Sequence, residues 1–138
     1  MGEDERKLRL ARAIQLFMPG IPQVWYLDLF AGNNDYEAAD RGGTGGHKEI
    51  NRTTLSISDV EAGFKRIIVQ DQLTLIRLRN TSPAFNGKLI ITDTDEHHLH
   101  LTWRNQEFSA VLRADLRDCS FSISHTENSR DKEVISYL

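Results

Sequence analysis

The chain has 138 residues, of which 39% are hydrophobic and 27% charged, and its formal net charge is -3. This length suits one ordinary domain or two small pieces, and the composition is that of a globular chain, not a disordered one. The mildly acidic balance gives no electrostatic reason to expect nucleic acid or an anionic membrane as a partner.

One cysteine, Cys119, leaves no internal disulfide and no cysteine-based zinc pattern. A reducing, cytoplasmic setting is the simplest expectation. No apolar run approaches the roughly 20 residues that cross a bilayer. The charged start runs straight into a helix, unlike a signal peptide. Because the chain opens inside that helix, it reads as a piece of a longer protein.

Residues 3–18 carry apolar positions at helical spacing (Leu8, Ala11, Ile14, Met18, with Leu10 and Phe17 beside them), and acidic residues in the first turn favour the helix dipole. Pro19-Gly20 ends this helix. Residues 23–30 form a short, nearly continuous apolar run, which predicts a strand covered on both faces, as in a parallel sheet flanked by helices. Asp28 is the polar exception, expected at the sheet rim.

Residues 31–57 read as one long loop, of the kind that is usually functional or disordered. Five of the nine glycines fall between Gly32 and Gly46. Tyr36, Ile50 and Leu55 supply anchors, which favours an ordered loop lining a site. Its polar residues (Asp35, Glu37, Asp40, Lys48, Glu49, Arg52) are of the types that hydrogen-bond hydroxyls or clamp carboxylates and phosphates, with a solvated loop as the alternative. A phosphate-binding loop is strongly disfavoured, since Glu49 follows Lys48 where Ser or Thr is needed and no helix starts there.

Ser58 and Glu61 read as a capping box opening a helix to about Arg79, which Asn80-Thr81-Ser82-Pro83 stops. Beyond Phe85 the apolar period changes from 3.6 to 2. Residues 88–93, 98–103, 108–113, 120–124 and 134–138 read as five short strands separated by turn signals. His98 and His100 share a strand face and His97 points away; decoration of the wet face is favoured over a metal site. Cys119 has no activating neighbour.

The run from Ala11 through Pro19-Gly20-Ile21-Pro22 to Tyr26 resembles the last helix–strand step of the barrel in the α-amylase superfamily, glycoside hydrolase family thirteen. Ala31-Gly32-Asn33-Asn34-Asp35 followed by Ile50-Asn51-Arg52 resembles the sucrose phosphorylase subfamily. Leu101-Thr102-Trp103-Arg104-Asn105 and Arg113-Ala114-Asp115-Leu116 look like the small C-terminal β-domain of those enzymes. The resemblance implies an α/β plus all-β chain. Residues 1–84 would be the terminal portion of a (β/α)8 TIM barrel, with its last strand and flanking helices. Residues 85–138 would be a small antiparallel β-sheet or sandwich.

The resemblance also implies a retaining glucosyl transfer to phosphate, giving glucose 1-phosphate. Such chemistry uses two carboxylates about 5–5.5 Å apart. In the family these, and a third aspartate, precede the segment matched here, so no catalytic residue is carried over and the isolated chain is expected to be inactive. Substrate positioning is carried over: Arg52 at the bottom of the glucosyl pocket, with Asn51 beside it, and Asn34 and Asp35 near its mouth. Gly46-His47-Lys48-Glu49 departs from the subfamily's usual Gly-Arg-Asp and looks more like glucosylglycerate or glucosylglycerol phosphorylases, where His47 or Lys48 would suit an anionic acceptor. The implied partners are an α-glucoside, inorganic phosphate and the rest of the barrel, with a homodimer left open. No cofactor, metal, nucleic acid or membrane is implied. The alternatives are a non-catalytic carbohydrate-binding or interaction module, or a piece of another hydrolase or isomerase of the superfamily.

Overall fold

A computed structural model describes residues 4–127 and 130–137. Asp4 caps helix α1 (Glu5–Phe17), its carboxylate accepting the Arg6 backbone N–H at 2.9 Å. The chain turns away at Gly20, whose φ of 99° is one that side chains rarely adopt.

The strand expected over 23–30 does not form. A strand needs at least one neighbouring strand to pair with, and the sheet among the described residues does not reach this segment. Residues 21–25 form no strand, and the chain then closes into a single helical turn, α2 (Tyr26–Leu29), with Leu27 buried. Asp28 therefore lies in a helix and not at a sheet rim.

The long loop is ordered. It holds helix α3 (Tyr36–Arg41) and a 3-10 helix (Gly43–Lys48). A Cβ on Gly46 would come within 1.7 Å of the Ala39 carbonyl oxygen, so glycine is what lets these two turns touch.

The helix expected over 58–79 is two helices, α4 (Ile57–Gly63) and α5 (Ile67–Thr81). A Cβ on Gly63 would meet the Phe30 ring at 2.5 Å, so glycine lets the end of α4 lie against that ring. The capping box sits two residues earlier than the sequence suggested. Ser56 accepts the Asp59 N–H at 3.1 Å, and Asp59 accepts the Ser56 N–H at 2.8 Å.

Strands β1 (Lys88–Ile91), β2 (His98–Asn105), β3 (Phe108–Asp115), β4 (Ser120–Glu127) and β5 (Arg130–Tyr137) form one antiparallel sheet in chain order. The turn expected at Asn128 and Ser129 lies outside the described residues, as does Leu138. Register aligns Leu101, Leu112, Ile123 and Ile135 across four strands. That face packs on α1 and α5, and a second sheet, as a sandwich would need, is absent among the described residues. Leu10, Ala13, Phe17, Leu75, Leu78, Trp103, Leu112 and Phe121 belong to one core. The core therefore runs through residue 84 without a break.

The histidines are engaged in pairs at the end of the sheet. His98 lies 2.8 Å from Asp95 and 3.5 Å from Asp115, and His97 lies 3.3 Å from Glu96. Cys119 packs partly buried against the core, with a φ of 65° in the β3–β4 turn.

A polar network ties β5 to both helices. Tyr137 donates to Asp71, Arg9 reaches the same carboxylate at 3.0 Å, and the Arg9 guanidinium lies 4.9 Å from the Tyr137 ring centroid. Burial first, then the bond to Asp71, push the Tyr137 hydroxyl from 10.0 up to about 12. The folded chain thus holds this proton more tightly than the unfolded one. Its contribution is full below pH 10 and disappears as pH rises toward 12. Tyr137→Phe should therefore flatten the loss of stability over that interval in urea titrations; an unchanged slope would contradict the assignment.

Candidate functional site

The two ends of the 31–57 segment are drawn together by the residues around α2. The Trp25 indole N–H donates to the Asn51 carbonyl at 2.9 Å, and the Tyr26 hydroxyl donates to the Thr53 carbonyl at 2.8 Å. Thr53 in turn donates to the Asn33 carbonyl at 3.2 Å, and the Asp35 N–H to the Ile50 carbonyl at 2.7 Å. Asn34 and Asp35 are thereby set beside Asn51 and Arg52, though the two pairs are well separated in sequence.

Within this arrangement each side chain has a definite role. The Asp35 carboxylate caps α3 by accepting the Ala38 N–H at 2.8 Å. The Asn34 amide donates to the Tyr36 hydroxyl at 3.3 Å. Arg52 is exposed and pairs with Glu49 at 3.0 Å. An exposed pair at this spacing contributes less than about 1 kcal/mol, so the guanidinium can exchange its partner for a ligand carboxylate, phosphate or hydroxyl. His47 and Lys48 sit exposed at the end of the 3-10 helix.

Beside the closure lies a cleft of about 540 Å³ between α1 and residues 23–28, lined by Arg12, Gln15, Gln23, Trp25, Asp28 and Asn51 among others. Arg12 is buried at its base. It donates to Gln72 at 2.8 Å and to Gln15, and its guanidinium lies 4.0 Å from the Asp28 carboxylate. Burial pulls the Arg12 guanidinium below its ordinary value while Asp28 opposes this, and an arginine remains charged under both influences. The sequence reading passed over Arg12 and Gln72. Their signal was present: each is polar at a position where its helix turns a face to the core, Gln72 lying between Ile68 and Leu75.

The carbonyls at the end of α2 are fully occupied. The Gln72 amide donates to the Asp28 and Leu29 carbonyls at 3.1 and 2.9 Å. Arg66 donates to the Phe30 and Ala31 carbonyls at 2.8 and 3.0 Å, and to Glu5 at 2.6 Å. Gly32 N–H returns to the Leu27 carbonyl and Ala31 N–H to that of Asp28, the paired bonds of a Schellman turn. Ala31 occupies its left-handed position with a φ of 47°, where glycine is usual, at a cost of about 1 kcal/mol.

No family model matches the chain. Individual relatives do. It is 59% identical over 137 residues to a sucrose 6(F)-phosphate phosphorylase of Ilumatobacter coccineus, a match that takes in 99% of this chain and 26% of the relative. A glucosylglycerol phosphorylase of Marinobacter adhaerens is 34% identical over 117 residues, 85% of this chain and 24% of the relative. The crystal structure of sucrose 6F-phosphate phosphorylase from Thermoanaerobacter thermosaccharolyticum superposes with a TM-score of 0.86 at 38% identity, over 98% of this chain and 27% of that one. The chain spans about a quarter of the length of these relatives, and corresponds to their C-terminal portion.

Proposed function

We propose, from near full-length similarity to the C-terminal portion of sucrose-type phosphorylases, that this chain is the substrate-positioning end of a retaining α-glucosyl phosphorylase. The observation that carries this reading is the 59% identity over 99% of the chain. In this reading residues 1–84 complete a catalytic barrel and residues 85–138 are its β-domain. The catalytic carboxylates come from the remaining barrel, and the reaction moves glucose between an α-glucoside and inorganic phosphate. Arg52 and Asn51 hold the glucosyl unit, Asn34 and Asp35 line the mouth, and His47 and Lys48 face an anionic acceptor.

The exposed apolar residues around α2 and α4 support a barrel partner. Ile21 is 99% exposed, Ile57 80% and Ile67 65%, and Trp25 and Phe64 are exposed as well. Residues 21–25 form no ladder with any described strand, and an unladdered segment of this kind can take a neighbouring strand. The barrel portion of the Ilumatobacter coccineus relative is a suitable complement.

The test is phosphate release from glucose 1-phosphate with fructose, fructose 6-phosphate, glycerate or glycerol as acceptor. The chain alone should give no turnover, and joined to that barrel portion it should be active with at least one acceptor. Sustained release by the chain alone, or a folded joined protein inactive with all four, would overturn the reading.

A further inference from the structure

We propose that Gln72 and Arg66 are positioning residues: they hold the four consecutive carbonyls that end α2 and so fix the direction in which Asn34 and Asp35 leave it. This rests on the reading of the 31–57 segment as a wall of the substrate pocket. The last carbonyls of any helix have no partner within it. A helix of four residues has little else to hold it, since a lone turn is unstable in water. Here α5 supplies every donor from outside, two from the buried Gln72 and two from Arg66.

The donors are themselves fixed. Arg12 offers only N–H groups, so the Gln72 amide must turn its oxygen toward Arg12 and its NH₂ toward α2. Glu5 holds the second Arg66 nitrogen. The bend between α4 and α5 leaves Arg66 in extended backbone at the N-cap of α5, from where its side chain reaches across to Ala31. The carbonyl at the end of this set belongs to Ala31, the residue in the left-handed conformation. Backbone strain of this kind persists only where the surroundings over-determine it. Asn34 follows three residues later, so a rotation at Ala31 would swing the pocket wall as a unit.

Two substitutions test the clamp on the 138-residue chain by amide hydrogen exchange. Gln72→Glu keeps the shape and the bond to Arg12 but presents no donor to the carbonyls, and Arg66→Ala removes the other pair. Each should speed exchange at Gly32 and Asp35 by about tenfold while leaving the sheet amides and the control Thr74→Ala unchanged. Unchanged exchange at Gly32 and Asp35 in both variants overturns the clamp.

In the chain joined to the barrel portion, Arg66→Ala should raise KM for the glucosyl donor about tenfold with kcat within about threefold, and Arg66→Lys should recover part of the loss. A purely stabilising role would lower the active fraction and leave KM alone, which would overturn the positioning role. Should the unsubstituted joined protein be inactive, the phosphorylase reading fails, and the exchange measurement still decides whether the clamp exists.

Discussion

Replacing Trp103 by alanine should destabilise the chain by about 3–5 kcal/mol, the usual loss when a large core aromatic is removed. Trp103 is 6% exposed, its ring centroid lies 5.8 Å from that of Phe85, and the Arg79 guanidinium stacks over it at 5.0 Å. Its indole N–H also donates at 2.7 Å to the Phe17 carbonyl, one of the unpaired acceptors at the end of α1. Alanine would empty the cavity, leave Arg79 stacked on Phe85 alone and leave that carbonyl buried without a donor. Urea midpoints measure the loss. Leu116→Ala, at a residue 43% exposed, is the control and should stay within about 0.5 kcal/mol. A Trp103→Ala loss below about 1 kcal/mol would mean that the sheet and α1 are not joined as described.

The second large effect is on activity. In the joined enzyme Arg52→Ala should lower kcat/KM by about 100- to 1,000-fold, or about 3–4 kcal/mol of transition-state stabilisation. Its urea midpoint should hardly move, because the side chain is exposed and its one ion pair, with Glu49, is of the kind that contributes little. Arg52→Lys should fall between the two, since an ammonium keeps the charge and loses the planar fork. A normal rate for Arg52→Ala would remove this residue from the substrate site.

Strands β2, β3 and β4 were legible because their core positions recur every second residue, and Leu99, Leu101 and Trp103 mark the buried face by themselves. Helix α1 was legible for the matching reason at a period of 3.6. The run at 23–30 misled because continuous hydrophobicity was read as burial on both faces, whereas Leu27 is buried and Trp25 and Tyr26 are exposed, and only neighbours decide between strand and turn. Periodicity also carried straight through residues 64–66, where the structure separates α4 from α5. Arg52, Asn34 and Asp35 stood out through resemblance. What the sequence could not convey was their closure: the bonds from Trp25 to Asn51 and from Gln72 to Asp28 span separations that no local pattern encodes.

Ala13 and Ala110, both fully buried, lie in the same core as Phe17, Trp103 and Ile123. A close-packed interior has no room for an added methylene unless volume is removed nearby. A drift to a larger residue at Ala110 must therefore be answered by a smaller one on α1, α5 or a neighbouring strand. Substitutions in the helices and in the sheet constrain one another, so a replacement tolerated in one half depends on the residue present in the other.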